Sequence, residues 1–132
     1  MIKLRRDLVF VVLFSVLSVA QAIEAKGQGY FEKLIVGSQK TAPATQASLT
    51  EKVTYTFLLT ASPGEHPLLI VIYDGSGREV FRSQSTLTVR TGPAGRSISY
   101  GYDRARDAPG TWWYVVHLDS QVVLSNSIEV VP

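Results

Sequence analysis

Apolar and polar residues alternate along most of this chain. Val53, Tyr55, Phe57 and Leu59 take every second position, separated by Thr54, Thr56 and Leu58. Ile98, Tyr100 and Tyr102 alternate in the same way with Ser97, Ser99 and Gly101, and Leu87 and Val89 with Thr86 and Thr88. Successive side chains of a strand point to opposite faces, so a period of two marks a half-buried strand. Leu68 to Tyr73 is apolar throughout, which predicts a strand covered on both faces. Beyond residue 22 no stretch carries a helical stripe of useful length.

Turn residues separate these runs. Ser62-Pro63-Gly64, Asp74-Gly75-Ser76-Gly77, Thr91-Gly92-Pro93-Ala94-Gly95 and Asp107-Ala108-Pro109-Gly110 each lie between two of them. Asp and Gly supply the backbone angles that tight connections need. The pattern predicts strands at 29–36, 49–60, 67–73, 78–82, 85–90, 96–103, 111–118 and 121–131. Seven to eight short strands without a helix indicate an all-β fold, a sandwich or a barrel. An immunoglobulin-like antiparallel β-sandwich is favoured, with a small barrel as the alternative. Residues 37–48 are the low-hydrophobicity stretch and are expected to form a loop. No internal repeat or domain boundary interrupts residues 23–132.

The last hairpin has the most distinctive pattern. Pro109-Gly110-Thr111-Trp112-Trp113-Tyr114-Val115-Val116 is followed, after a polar turn, by Val122-Val123-Leu124 and Ser127-Ile128-Glu129-Val130. This resembles the closing hairpin of bacterial extracytoplasmic immunoglobulin-like domains. It is most similar to a small family of such domains of unknown function that open on a Gly-x-Tyr-like strand, here Gly29-Tyr30-Phe31-Glu32. The resemblance covers about a third of residues 23–132. It implies the fold and no catalytic residue. Alternation puts Trp112, Tyr114, Val116 and Leu118 on one face as a core seam, with Val122, Leu124, Ile128 and Val130 as partners across the hairpin. Asn126 falls in phase with that seam, so a bulge or a satisfied buried amide is expected there.

The N-terminus changes the reading of charge. Lys3, Arg5 and Arg6 precede an apolar run from Leu8 to Val19, which ends at Ala20-Gln21-Ala22. Cationic start, apolar stretch and small-x-small exit form a secretory signal, so residues 1–22 are expected to be cleaved. The run is about a dozen residues, short of the roughly 20 that span a bilayer. The whole chain has 13 Lys and Arg against 11 Asp and Glu. Cleavage would remove three cations and one anion, leaving ten of each. A neutral chain has no basic stripe for nucleic acid, so no nucleic-acid partner is expected. Membrane contact is expected only through the transient signal peptide. With no cysteine, the domain must rest on its hydrophobic core.

Candidate chemistry is sparse. Trp113, Val115 and His117, with Val123, fall on the face of the last hairpin opposite the seam. Exposed, that face would be a docking patch on which Trp113 could stack; otherwise it packs under the 37–48 loop or a neighbouring edge. Arg104 and Arg106, within Asp103-Arg104-Ala105-Arg106-Asp107, could fork an anion or carboxylate, unless the adjacent aspartates satisfy them. The two histidines, His66 and His117, lie far apart in sequence without converging acids, so no metal site is expected. Asp74-Gly75-Ser76-Gly77 lacks the alternating ligands of a calcium loop and is expected to be a hairpin turn. No nucleophile elbow is present, and no cofactor or catalytic residue is expected. The sequence thus reads as a periplasmic or secreted, non-enzymatic binding module, whose partner is another envelope protein or a polysaccharide. Binding would use a sheet edge or the Trp113–His117 face. Two other classes fit the same sequence: a small β-sandwich hydrolase or metal-dependent accessory protein, and a structural subunit of an envelope assembly.

Overall fold

The computed structural model describes residues 25–35, 38 and 40–132; the expected signal peptide lies outside them. Nine strands follow one another: β1 (Lys26–Leu34), β2 (Thr41–Pro43), β3 (Gln46–Ser48), β4 (Lys52–Thr60), β5 (Gly64–Tyr73), β6 (Glu79–Val89), β7 (Ala94–Gly101), β8 (Gly110–Leu118) and β9 (Gln121–Val131). They form two sheets, ordered β2-β1-β4-β7 and β3-β9-β8-β5-β6. All pairings are antiparallel except that of β3 with β9. The expected all-β sandwich is the fold.

The alternating positions meet between the sheets. Val53, Tyr55, Phe57 and Leu59 from β4 face Trp112, Tyr114, Val116 and Leu118 from β8, all essentially inaccessible to solvent. Rings dominate this core: Phe31, Tyr55 and Tyr114 lie 4.9–5.2 Å apart, and Tyr102 packs edge-on against Trp112 at 4.8 Å. Their polar ends are paired, as buried donors require. Tyr102 and Tyr114 share a hydroxyl hydrogen bond of 2.8 Å, and the Trp112 indole N–H donates to the Ala108 carbonyl at 2.7 Å. In the seam the Asn126 side-chain oxygen accepts from the Tyr55 hydroxyl. A Cβ on Gly29 would lie 2.7–2.9 Å from that hydroxyl, the Asn126 oxygen and the Tyr55 ring, so only glycine fits there in β1. Gly110 has φ +127°, a conformation L side chains rarely adopt, which explains the residue before Thr111.

Three expectations need correction. The predicted 37–48 loop contains β2 and β3. The chain pairs first with β1 and then crosses to lie parallel to β9, burying Ala47. The predicted strands 78–82 and 85–90 are one strand, β6, because Ser83 and Gln84 still pair with Ile70 and Leu69. In the seam, Val122 is 59% exposed. The register shifts between Val116↔Leu124 and His117↔Val122, leaving Val123 as the extra residue of a bulge. Val123 therefore packs towards the core and Val122 turns out, the reverse of the phase read from sequence.

Strand edges are covered where the two sheets meet. β6 and β7 are consecutive edge strands of opposite sheets. The Arg96 guanidinium of β7 reaches across, donating to the Thr86 carbonyl at 3.0 Å and the Ser85 hydroxyl at 3.2 Å. It occupies an outward carbonyl that an added strand would need.

Candidate functional site

The outward face of the five-stranded sheet is built from its two central strands. Leu68, Ile70 and Ile72 of β5 point into the core, so Leu69, Val71 and Tyr73 point out. Trp113, Val115 and His117 do the same on β8. Register places them side by side: Tyr73 opposite Trp113, Val71 opposite Val115, and Leu69 opposite His117. Trp113 is 45% exposed, and Val71 is only 1% exposed although it lies on this outer face. The apolar floor is thus packed, with Trp113 raised at one end. A hollow of about 300 Å³ lies at the other, lined by Pro67, Leu69, Gln84, Ser85, His117 and Ser120.

The residues that border this floor are polar except for the exposed Val122. On β6 the same rows end in Glu79, Arg82 and Gln84; on β9 they end in Ser127, Ser125 and Val122. Arg82 donates two hydrogen bonds to Glu79, at 3.0 and 2.9 Å, so this margin is locally neutral. Partial burial, assisted by the Arg82 charge, lowers the pKa of His117. The imidazole is therefore neutral at pH 7 and adds no charge to the face.

The other sequence candidates lie elsewhere. Arg104 and Arg106 are in the connection from β7 to β8. Arg104 is exposed. Arg106 forks the buried Asp107 carboxylate at 3.0 and 2.9 Å, donates to the Gly101 carbonyl and stacks over the Tyr100 ring. It pairs with its neighbouring aspartate and ties down the connection. Val123, expected on the face, is the bulge residue that packs towards the core. The described residues of the 37–48 stretch pair along β1 and β9 and do not roof the face. Sequence reasoning missed Leu69, Val71 and Tyr73. The apolar run 68–73 signalled a strand in the middle of a sheet, and pairing it with the last hairpin would have found them.

His66 is buried at the end of the sandwich. Its Nε2 lies 2.7 Å from the Ser62 carbonyl and its Nδ1 2.8 Å from the Asp119 carboxylate. The Ser62 hydrogen bond, then the Asp119 carboxylate, raise its pKa. A raised histidine contributes stability that is full below its unfolded pKa, about 6.5, and is lost as pH rises through the folded value. The melting temperature of the native protein should therefore decline as pH rises above about 6.5, and that slope should flatten in His66→Gln. A slope that survives the substitution would assign it to another group.

The outward face of the four-stranded sheet mixes hydroxyl groups with the exposed Tyr30, Leu34 and Leu58. Thr54 and Ser99 pair across β4 and β7 at 2.9 Å, and Thr56 and Ser97 at 2.8 Å. These groups satisfy one another.

No protein-family model and no curated protein matches the sequence. Solved structures do. An immunoglobulin-like protein from Pseudomonas aeruginosa aligns over 82% of this chain and 97% of its own, with a TM-score of 0.54 at 14% identity. The fold is immunoglobulin-like. The alkylpurine DNA glycosylase AlkC of Pseudomonas fluorescens, solved bound to DNA containing an abasic-site analogue, aligns over 84% of this chain with a TM-score of 0.58 at 14% identity. The match spans 31% of that enzyme. At such identity both likenesses concern the fold alone.

Proposed function

We propose that this chain is an exported, non-enzymatic immunoglobulin-like module of the cell envelope that binds a partner through the outward face of its five-stranded sheet. The observation that carries the reading is the row of Tyr73 and Trp113 above a packed Val71–Val115 floor, whose border is polar except at Val122. Tyr, Trp and Arg around a desolvated centre are the residue types that dominate binding energy at interfaces. Export is supported by the signal pattern of residues 1–22. A non-enzymatic role is supported by the commitment of its best-placed ionisable groups. Asp74, Asp107, Arg106 and His66 are each engaged in hydrogen bonds that hold a turn or a connection.

The test is an affinity pull-down from envelope extract with residues 23–132, run beside Trp113→Ala. The expected result is a specific envelope protein or polysaccharide retained by the native domain and reduced at least tenfold by the substitution, the loss of one interface hot spot. Retention that ignores Trp113 would remove this face from the reading.

A further inference from the structure

Resting on the reading of the outward face of the five-stranded sheet as the docking surface, we propose that the His66–Asp119 pair is a pH-operated latch at one end of that face: the protonated ring holds the β8–β9 turn against β5, and the neutral ring loosens it. The surroundings of the ring carry this. Nε2 lies 2.7 Å from the Ser62 carbonyl and Nδ1 2.8 Å from the Asp119 carboxylate. Carbonyl and carboxylate oxygens only accept hydrogen bonds. A neutral imidazole has one N–H and one lone pair, so it donates to one of them and turns a lone pair on the other. Only the imidazolium donates at both nitrogens. The cation thus ties the β4–β5 connection to the turn between β8 and β9. On deprotonation the Asp119 contact is the one that parts, because that side chain is 52% exposed and its carboxylate can turn to water.

The turn depends on such a tie. Asp119 and Ser120 both have left-handed backbone angles, φ 53° and 67°, which two-residue hairpins require and L side chains adopt reluctantly. Asp119 meets β5 at two points. Its N–H donates to the Pro67 carbonyl at 3.0 Å, and its carboxylate accepts from the His66 ring. Ser120 lines the hollow of about 300 Å³ beside His117 and Leu69, so the latch sets one wall of it. Among the described residues Asp119 is the one charged group that faces the ring. β6 places Leu87 opposite His66, β8 closes with Leu118 beside Leu68, and the β4–β5 connection presents the Ser62 carbonyl. Glu65 points to the other face of β5. His117 lies on that outward face, and burial lowers its pKa, whereas Ser62 and Asp119 raise that of His66. The two rings therefore titrate on opposite sides of the ordinary histidine value of about 6.5.

Ring-nitrogen and amide spectra of the isotopically labelled native protein, followed through pH, test this. At pH ~6 both ring nitrogens of His66 should carry a proton, and Nδ1 should lose its proton as pH rises above about 6.5. The amides of Asp119 and Ser120 should shift on the same curve. Protection of the Asp119 amide from solvent exchange should fall about three- to tenfold, the loss of one partly exposed hydrogen bond. Asp119→Asn keeps the turn, because Asn also tolerates left-handed angles. Its side-chain amide offers oxygen to the protonated ring and N–H to the neutral one, so the Ser120 amide should stop responding to pH above about 6.5. Capture of the envelope partner should weaken about two- to fivefold as the native protein passes the His66 midpoint, and stay level in Asp119→Asn. A His66 ring with a single proton at pH ~6, a turn that does not follow the ring, or an Asp119→Asn turn that titrates like the native one overturns the latch. A turn that follows His66 while Trp113-dependent capture stays level overturns its hold on docking. If Trp113→Ala leaves capture unchanged, the docking reading falls, and the latch is decided by the turn alone.

Discussion

Trp112→Ala should cost about 3–5 kcal/mol, the range for removing a large buried aromatic side chain, whereas its neighbour Trp113→Ala should cost well under half of that. The two residues are adjacent in sequence and identical in chemistry, so the comparison isolates position. Trp112 is fully buried, packs edge-on against Tyr102 and tilts against Tyr100, and closes its indole N–H on the Ala108 carbonyl. Truncation leaves a large cavity and an unpaired carbonyl. Trp113 stands nearly half-exposed on the other side of the same strand. Urea melts of the two variants measure the difference. Equal losses would mean that the outward face is packed, and that it is no docking surface.

The second large effect is on acid stability. Asp74 is buried at the β5–β6 turn. Burial alone would raise its pKa. The Ser76 hydroxyl, the backbone N–H groups of Arg78 and Ser76, and the Arg78 guanidinium outweigh that and hold it down to about 2. Asp107 follows the same logic, with burial opposed by the Arg106 fork and the Asp103 N–H, and its pKa is also lowered. A depressed carboxylate contributes stability that is present above its unfolded pKa and lost as pH falls through the folded one. For Asp74 that contribution is about 2 kcal/mol, full above pH ~4 and lost towards pH ~2. Asp74→Ala should cost about 2–4 kcal/mol at neutral pH, because it strands two backbone donors and a guanidinium. Asp74→Asn should remove part of the acid slope. Melting temperature against pH measures both, and a variant that keeps the native slope would place the acid sensitivity elsewhere.

The sequence announced the fold through period-two strands whose inward residues are all apolar, such as Val53 to Leu59 and Trp112 to Leu118. It hid β2 and β3 because Thr41–Pro43 and Gln46–Ser48 are edge strands of three residues, with Ala47 as their buried hydrophobic residue. Such strands carry too little apolar surface to leave a pattern. The join in β6 was hidden for a related reason. An edge strand faces water, so Ser83 and Gln84 are tolerated in its middle. The phase error at Val122 and Val123 came from one inserted residue, which flips every side chain beyond it. Half of the candidate face was legible, as Trp113, Val115 and His117. The other half, on β5, was masked by the continuous apolar run 68–73, in which inward and outward positions look alike. A charge run carries no record of its partners, so Arg104 and Arg106 stood open between an anion and the adjacent aspartates, and Asp107 pairs with Arg106.

The central claim is that the outward face of the five-stranded sheet is where this domain binds. Mapping amide shifts of isotopically labelled protein on addition of the captured envelope partner tests it most directly. The shifts should cluster at Leu69, Val71, Tyr73, Trp113, Val115 and His117. Shifts that cluster instead at Tyr30, Thr54, Thr56, Leu58, Ser97 and Ser99, on the outward face of the other sheet, would contradict it.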